Sequence, residues 1–405
     1  MKPKLRPVDA QMIEYQDRPV ILLRDPLGLT EQVMLVPQPL GPLLYLCDGS
    51  RDLDQLRTDL GLFTGIWLSS DEIEDIISSL AQALFLEDDH FAEAYRQALA
   101  EFRAAPHRAP SCAGSTYPDD PDALRTLLQK YWDQAGEVEP LPAGQGLISP
   151  HIDYTRGGPV YAQVWKRAAE MARAADVAII LGTDHKGFPG RLTLTRQSYA
   201  SPLGVLPTAL DVVDAVAQAI GPEEAFGDEL HHQDEHSVEL AAVWLQFVRD
   251  GRPVELVPIL CGSFQTFMEN GDAPAQDPKL AAAIQAIKQA TAGRRALYVA
   301  AGDLAHLGPA FDGEPLDFIA HAQIRHDDEL MLNPILSGDS NAFFDVIRRN
   351  RNARNVCGVS SFYLALELMG NQPGEMVAYD RCPADSQNTS IVSICGVVFN
   401  GQEGD

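Results

Sequence analysis

Positive charge is scarce in this chain. Against 57 Asp and Glu stand only 31 Lys and Arg, a formal net charge of −26 over 405 residues. An acidic excess of that size opposes adhesion to nucleic acid and to anionic membrane surfaces. No dense Lys/Arg run offsets it. Long apolar runs are missing as well, so no segment is expected to span a bilayer. The basic opening Met1-Lys2-Pro3-Lys4-Leu5-Arg6 has no apolar stretch behind it and does not predict a secretory signal. Cysteine is sparse: six residues (Cys47, Cys112, Cys261, Cys357, Cys382, Cys395) are scattered through the chain. That pattern is no disulfide framework and predicts a reducing, cytoplasmic setting. Also absent are a G-x-S-x-G elbow, a G-x-x-x-x-G-K-[ST] phosphate loop, an H-E-x-x-H zinc helix and a dinucleotide fingerprint. Serine-hydrolase, P-loop and Rossmann chemistry are thereby disfavoured.

What the chain does have is one event repeated three times. Gly146–Ser149 reads as a short apolar strand stopped by Pro150 and followed by His151. Val177–Leu181 is closed by Gly182-Thr183-Asp184-His185, and Ala296–Ala301 by Gly302-Asp303-Leu304-Ala305-His306. Strands alternating with amphipathic helices such as 161–174, 212–220 and 280–292 predict an α/β domain. Its sheet should be largely parallel and flanked by helices, with right-handed crossovers. In such sheets ligands gather outside the carboxyl ends of the strands, where all three histidines would fall. Further expectations are a helix that follows His231–Ser237 and runs to about Val248, and helices over 318–332, 341–349 and 360–368. Strands are expected at 254–260 and 390–399, and a polar loop at 262–278. Residues 1–103 form a separate block: a hairpin from 20–23 and 33–36, then short helices, one opened by the capping box Ser69-Ser70-Asp71-Glu72. This suggests a small winged-helix-type module, similar to the PqqD-like peptide-binding domains. The carboxylates on its helices (Asp52, Asp54, Asp59, Asp71, Glu72, Glu74, Asp75) argue against DNA contact. Residues 104–110, small and with two prolines, read as a linker to a main domain at 111–400.

His151, His185 and Cys357 can supply two imidazoles and a thiolate to a metal, and three protein ligands leave a coordination position open, as catalytic sites require. Cys357 is also open to reading as a buried small apolar residue. His306 suits a general acid/base, with Asp303 as its orienter or as a further ligand. Asp303 can equally cap a helix. His236, at a predicted helix start beside Asp234 and Glu235, would sit in the mouth of the site, although acids there serve a helix N-terminus in any case.

Taken in order, Ser111–Pro118, Ser149-Pro150-His151, Leu181–His185, Asp234-Glu235-His236-Ser237-Val238-Glu239, Gly302–His306 and Cys357-Gly358 resemble the Memo family, whose microbial members are called AmmeMemoRadiSam system protein B. The resemblance covers roughly residues 107–400. It implies a fold like that of the class III extradiol dioxygenases, which use non-haem Fe(II). It also implies metal ligands at His151, His185 and Cys357, further pocket residues at His236, Asp303 and His306, and a radical-SAM partner protein. The expected cofactor is a divalent metal, Fe(II) first, with copper or zinc as alternatives because a thiolate suits softer ions. The expected substrate is a small molecule or peptide. The leading expectation is a metal-dependent redox enzyme of dioxygenase type. The alternatives are a peptide- or partner-binding protein on a vestigial site, and a metal-handling protein. The chain departs from the family at Cys112 (usually His), at Thr116 (usually Trp) and at Ile152-Asp153 (usually Ala-Gly). These departures would place an extra carboxylate, and possible access to a second thiol, beside the metal.

Overall fold

The computed structural model describes residues 2–370 and 372–401, and the chain divides into two compact units, Met1–Ala104 and Ala105–Asp405. In the first unit β1 (Asp9–Tyr15), β2 (Arg18–Arg24) and β3 (Met34–Pro37) form an antiparallel sheet. The β2–β3 pair is the expected hairpin, with Ile21 opposite Val36. β1 was not anticipated. It joins β2 through Gln16 and Asp17, both at positive φ (51° and 57°), the pattern of a tight mirror-image turn formed without the usual Asn-Gly signal. Four helices follow: α1 (Gly41–Leu46), α2 (Leu53–Thr64), α3 (Ser70–Gln82) and α4 (Asp89–Ala104). The box opening α3 forms as read, with Ser69 and Glu72 each satisfying the other's backbone amide.

The second unit runs α5 (Pro121–Gln134), β4 (Gly144–Ser149), α6 (Tyr154–Arg167), α7 (Ala169–Ala174), β5 (Val177–Thr183), β6 (Leu192–Leu194), β7 (Tyr199–Ser201) and β8 (Gly204–Leu206). It continues with α8 (Leu210–Ile220), α9 (Pro222–Phe226), α10 (His236–Val248), β9 (Glu255–Cys261), α11 (Gln265–Asn270) and α12 (Pro278–Ala290). It closes with β10 (Ala296–Ala301), β11 (His306–Leu307), α13 (Phe318–Leu336), α14 (Ser340–Arg349), α15 (Val359–Met369), β12 (Gly374–Pro383) and β13 (Ile391–Asn400).

Eight strands make one sheet in the order β11-β13-β4-β10-β5-β9-β6, with β12 pairing β13. The middle four, β4, β10, β5 and β9, are parallel, and the strands outside them are antiparallel. Strand pleating sends alternate residues to opposite faces. Ile179, Ile259 and Ala300 therefore join one buried layer with α8, α12, α14 and α15. Ile180, Leu260 and Val299 join the other with α6, α7 and α10. The unit is a helix–sheet–helix stack. Among the described residues no helix is long and apolar enough to cross a membrane.

Two local readings need correction. The helix expected at 161–174 begins at Tyr154, because Asp153 caps it by accepting from the Arg156 amide, and it breaks near Ala168. Gly157-Gly158-Pro159 had disguised that opening: Pro159 is the sixth residue, inside the helix, and donates no hydrogen bond to the Thr155 carbonyl one turn back. The stretch 262–278 is not all loop but contains α11.

Arg108, inside the stretch read as linker, is 1% exposed. Its guanidinium pairs with Glu239 of α10 and donates to the carbonyls of His232 and Glu235. Glu239 also accepts from the Ser111 and Cys112 amides and from the Tyr117 hydroxyl. One ion pair thus ties residues 108–117 to α10 and holds the backbone on which Glu235 and His236 sit. Removing one partner of a buried pair leaves an uncompensated charge, at a cost of about 3–5 kcal/mol. Glu239→Ala is expected to lower unfolding stability by about that amount in urea titration. A loss under about 1 kcal/mol would mean the pair does not organise this region.

Candidate metal centre

The three parallel strands that deliver histidines lie side by side and in step. Ala301 is level with both Ser149 and Gly182. His151, His185 and Asp303 therefore leave the sheet from one edge within two residues of its end. Cys357 arrives from the loop before α15. That loop can come so close because Gly302 meets Gly358: a side-chain carbon on Gly302 would lie 2.7 Å from the Gly358 Cα. The Gly358 amide donates to the Asp303 carbonyl at 3.2 Å, and Thr183 Oγ1 donates to the Cys357 carbonyl at 3.2 Å.

Three imidazoles form a near-equilateral triangle, with ring centres 5.1 Å apart for His151–His185, 5.1 Å for His151–His236 and 4.9 Å for His185–His236. Each Nδ1 is engaged. That of His151 faces the Ala301 carbonyl at 3.2 Å, and those of His185 and His236 face the two oxygens of Glu235 at 2.9 and 3.1 Å. With Nδ1 as the donor, each ring keeps Nε2 as its free lone pair, the arrangement by which outer carboxylates and carbonyls orient metal-binding histidines. Ligand atoms of His151, His185 and His236 fall within 4.8 Å of one another, as do those of His151, Asp303 and Cys357. The Cys357 Sγ is 3.2 Å from His151 Nε2. Both sets are groups that could hold a metal ion, and His151 belongs to both.

Burial pushes His151 well below its ordinary value, so this ring is neutral, as a ligand must be. Burial opposes charge on Glu235 too, but His185 and His236 outweigh it and hold its carboxyl well below the usual range. Burial likewise opposes charge on His185, yet Glu235 and then Cys357 raise it well above 6.5. Burial raises Asp303 and Cys357. Without a metal, the centre therefore contains an ionised Glu235–His185 pair.

The sequence-predicted residues come together around one cavity of about 700 Å³, lined by His151, His185, His236, Asp303, His306 and Cys357, with Thr116, Arg156, Leu240, Phe311, Asn355 and Val392 among the rest. Several expected roles change. Asp303 caps no helix. Its Oδ1 accepts from the His151 and Ile152 amides, and Oδ2 lies 3.8 Å from His151 Nε2. It does not orient His306, whose Nδ1 instead faces the carbonyls of Leu304 and Asn355 at 3.2 and 3.1 Å. Asp153 borders the cavity, but its carboxylate is spent on capping α6 and on Arg156. Cys112 is buried with its amide on Glu239, its thiol pushed up to about 11 by burial and by Glu239, and belongs to neither donor group. Thr116 lines the cavity. Glu235 was missed as a site residue. The available signal was an acid at a helix cap flanked by a histidine, which cap chemistry alone appeared to explain.

A family model described as Memo-like protein matches residues 108–398. The chain belongs to the Memo-like protein family. Among Memo-like relatives, a MEMO1 family protein of Aquifex aeolicus is 24% identical and covers 98% of this chain and 100% of its own length, so it aligns over the first unit as well. MEMO1 family proteins of Archaeoglobus fulgidus and Methanosarcina acetivorans are 25% and 28% identical, covering 72% and 70% of this chain and 99% and 96% of their own.

The Glu235–His185 pair predicts a pH signature in metal-free protein. A carboxyl held low stabilises the fold above its ordinary value of 4.5 and loses that contribution as pH falls through its folded value. A histidine held high stabilises below 6.5 and loses its contribution as pH rises through its folded value. The stability gap between wild type and Glu235→Gln should peak between pH 4.5 and 6.5 and narrow on either side. Urea unfolding at acid, intermediate and alkaline pH reads this, and a gap unchanged across pH would refute the pairing.

Proposed function

We propose that this Memo-like protein is a metal-dependent redox enzyme of dioxygenase type, using Fe(II) held by His151, His185 and Cys357, with His236 as a further donor. The observation that carries the proposal is the convergence of three imidazoles, each with Nδ1 engaged, beside a thiol at 3.2 Å from one of them. Three imidazole nitrogens and a sulfur suit iron, copper or zinc better than magnesium or calcium. Ferrous iron, when bound, supplies Lewis acidity and one-electron chemistry.

The chain's own residues do the rest. Glu235 fixes the faces of His185 and His236, and its negative charge balances positive charge on the rings. Asp303 pins the turn at His151 through two amides. His306 is lowered from its ordinary value by burial, and its Nε2 remains free to hold or pass a proton at neutral pH. Ile152, Leu240, Phe311 and Val392 supply an apolar wall that limits water around a small aromatic or peptidic substrate.

Protein stripped of metal and reloaded anaerobically with Fe(II) is expected to retain one equivalent after desalting. His185→Ala and Cys357→Ser should each bind at least about tenfold more weakly. Exposure of the loaded protein to O2 with a panel of catechols and related phenols should give substrate-dependent oxygen uptake, reduced in His306→Gln without loss of metal. Full metal occupancy in His185→Ala would overturn the ligand set. Metal retention with no uptake across the panel would overturn the dioxygenase reading and favour a binding role for the same pocket.

A further inference from the structure

A second cavity, of about 1070 Å³, lies at the other end of α10 from the metal centre. The helix runs thirteen residues from His236 to Val248, a rise of roughly 18 Å between them at 1.5 Å per residue. Its walls come from α5, the end of α7 and the turn after α10. They carry Arg125, Lys130, Arg173 and Arg252 against two carboxylates, Asp133 and Asp250. In a chain of net charge −26 this is a local reversal of sign.

The cations are poorly compensated. Arg125 meets Asp250 only at 3.9 Å. Asp133 accepts from Gln129. Arg173 and Arg252 each spend Nε on a carbonyl, of Val248 and Arg249 at 3.1 Å, and among the described residues their terminal amines and the Lys130 ammonium pair with no carboxylate. Beneath them Arg249 is 8% exposed and is bound wholly by carbonyls, those of Ala172, Arg173, Ala175, Arg252 and Pro253. A buried charge is ordinarily paired. Burial, followed by the nearby charges of Arg252 and Arg295, pushes Arg249 below its ordinary value, against the weaker pull of Asp176. Trp132 and Phe247 meet edge to face at 5.7 Å on the same wall, with Lys166 Nζ 5.3 Å from the Trp132 ring centre.

We infer that this groove binds a small phosphorylated ligand carrying a planar ring, a nucleotide, with its phosphates on Arg173, Arg252 and Lys130 and its ring on the Trp132–Phe247 wall. Paired guanidinium amines match phosphate oxygens in a two-point contact, and aromatic side chains accept a base by stacking. A small ligand is favoured over a nucleic acid, because a chain of net charge −26 repels a long polyanion.

Isothermal titration of metal-free full-length protein with ATP, and separately with tripolyphosphate, in EDTA and about 150 mM salt tests this at an ionic strength that screens diffuse attraction. ATP should bind saturably at one site and at least tenfold more weakly to Arg173→Ala/Arg252→Ala, whose side chains are exposed and whose removal should leave the melting temperature unchanged. Trp132→Leu should weaken ATP several-fold and leave tripolyphosphate unaffected. ATP binding that is non-saturable, or equal in wild type and the double arginine variant, overturns the site. Equal binding of ATP and tripolyphosphate in both wild type and Trp132→Leu overturns the nucleotide class.

Discussion

The centre depends on one buried carboxylate placed between two imidazoles. Glu235 caps α10 by accepting from the Ser237 amide, and its two oxygens reach His236 on its own helix and His185 beyond the end of β5. A group at a helix start is positioned by backbone geometry, so the rings it holds inherit that rigidity. The Arg108–Glu239 pair secures the same helix one turn later, and Ser237 Oγ donates to the Thr183 carbonyl at 3.0 Å, locking the cap to the strand that carries His185. The Asp234–Glu239 segment thus works as a unit: Glu235 orients the rings, His236 lies among the candidate donors, Ser237 docks on the sheet, and Glu239 anchors an arginine more than a hundred residues away in sequence.

This organisation explains how residues separated by two hundred positions share a cavity without a compact motif. The parallel strands β4, β10 and β5 are neighbours, and parallel pairing aligns their carboxyl ends. The chain need only place a suitable side chain one to three residues past each strand. His236, which opens α10, and Cys357 are the exceptions, and Cys357 is the more demanding. It follows no strand and depends on two glycines whose close approach excludes any side chain.

Much of this was legible in the residues. Apolar runs closed by Pro or Gly marked the central strands, and the histidines behind them marked the edge where chemistry collects. The architecture and the shared cavity follow from that pattern. Other features were hidden because their causes are non-local. β12 pairs β13 along a half-exposed hairpin edge and carries no strong apolar signature. Asp303 looked like a helix cap or a partner for His306, yet it serves the amides of a different strand end. Asp153 looked like a metal-side carboxylate, yet capping uses it locally. The basic groove has no counterpart in any run of the sequence, since its arginines come from three separate segments.

X-ray absorption at the metal edge of the Fe(II)-loaded protein counts the sulfur and nitrogen scatterers around the ion itself. One sulfur, lost in Cys357→Ser, is expected, together with imidazole scattering from at least two rings. A shell of oxygen alone, or one unchanged by that substitution, would contradict this ligand set.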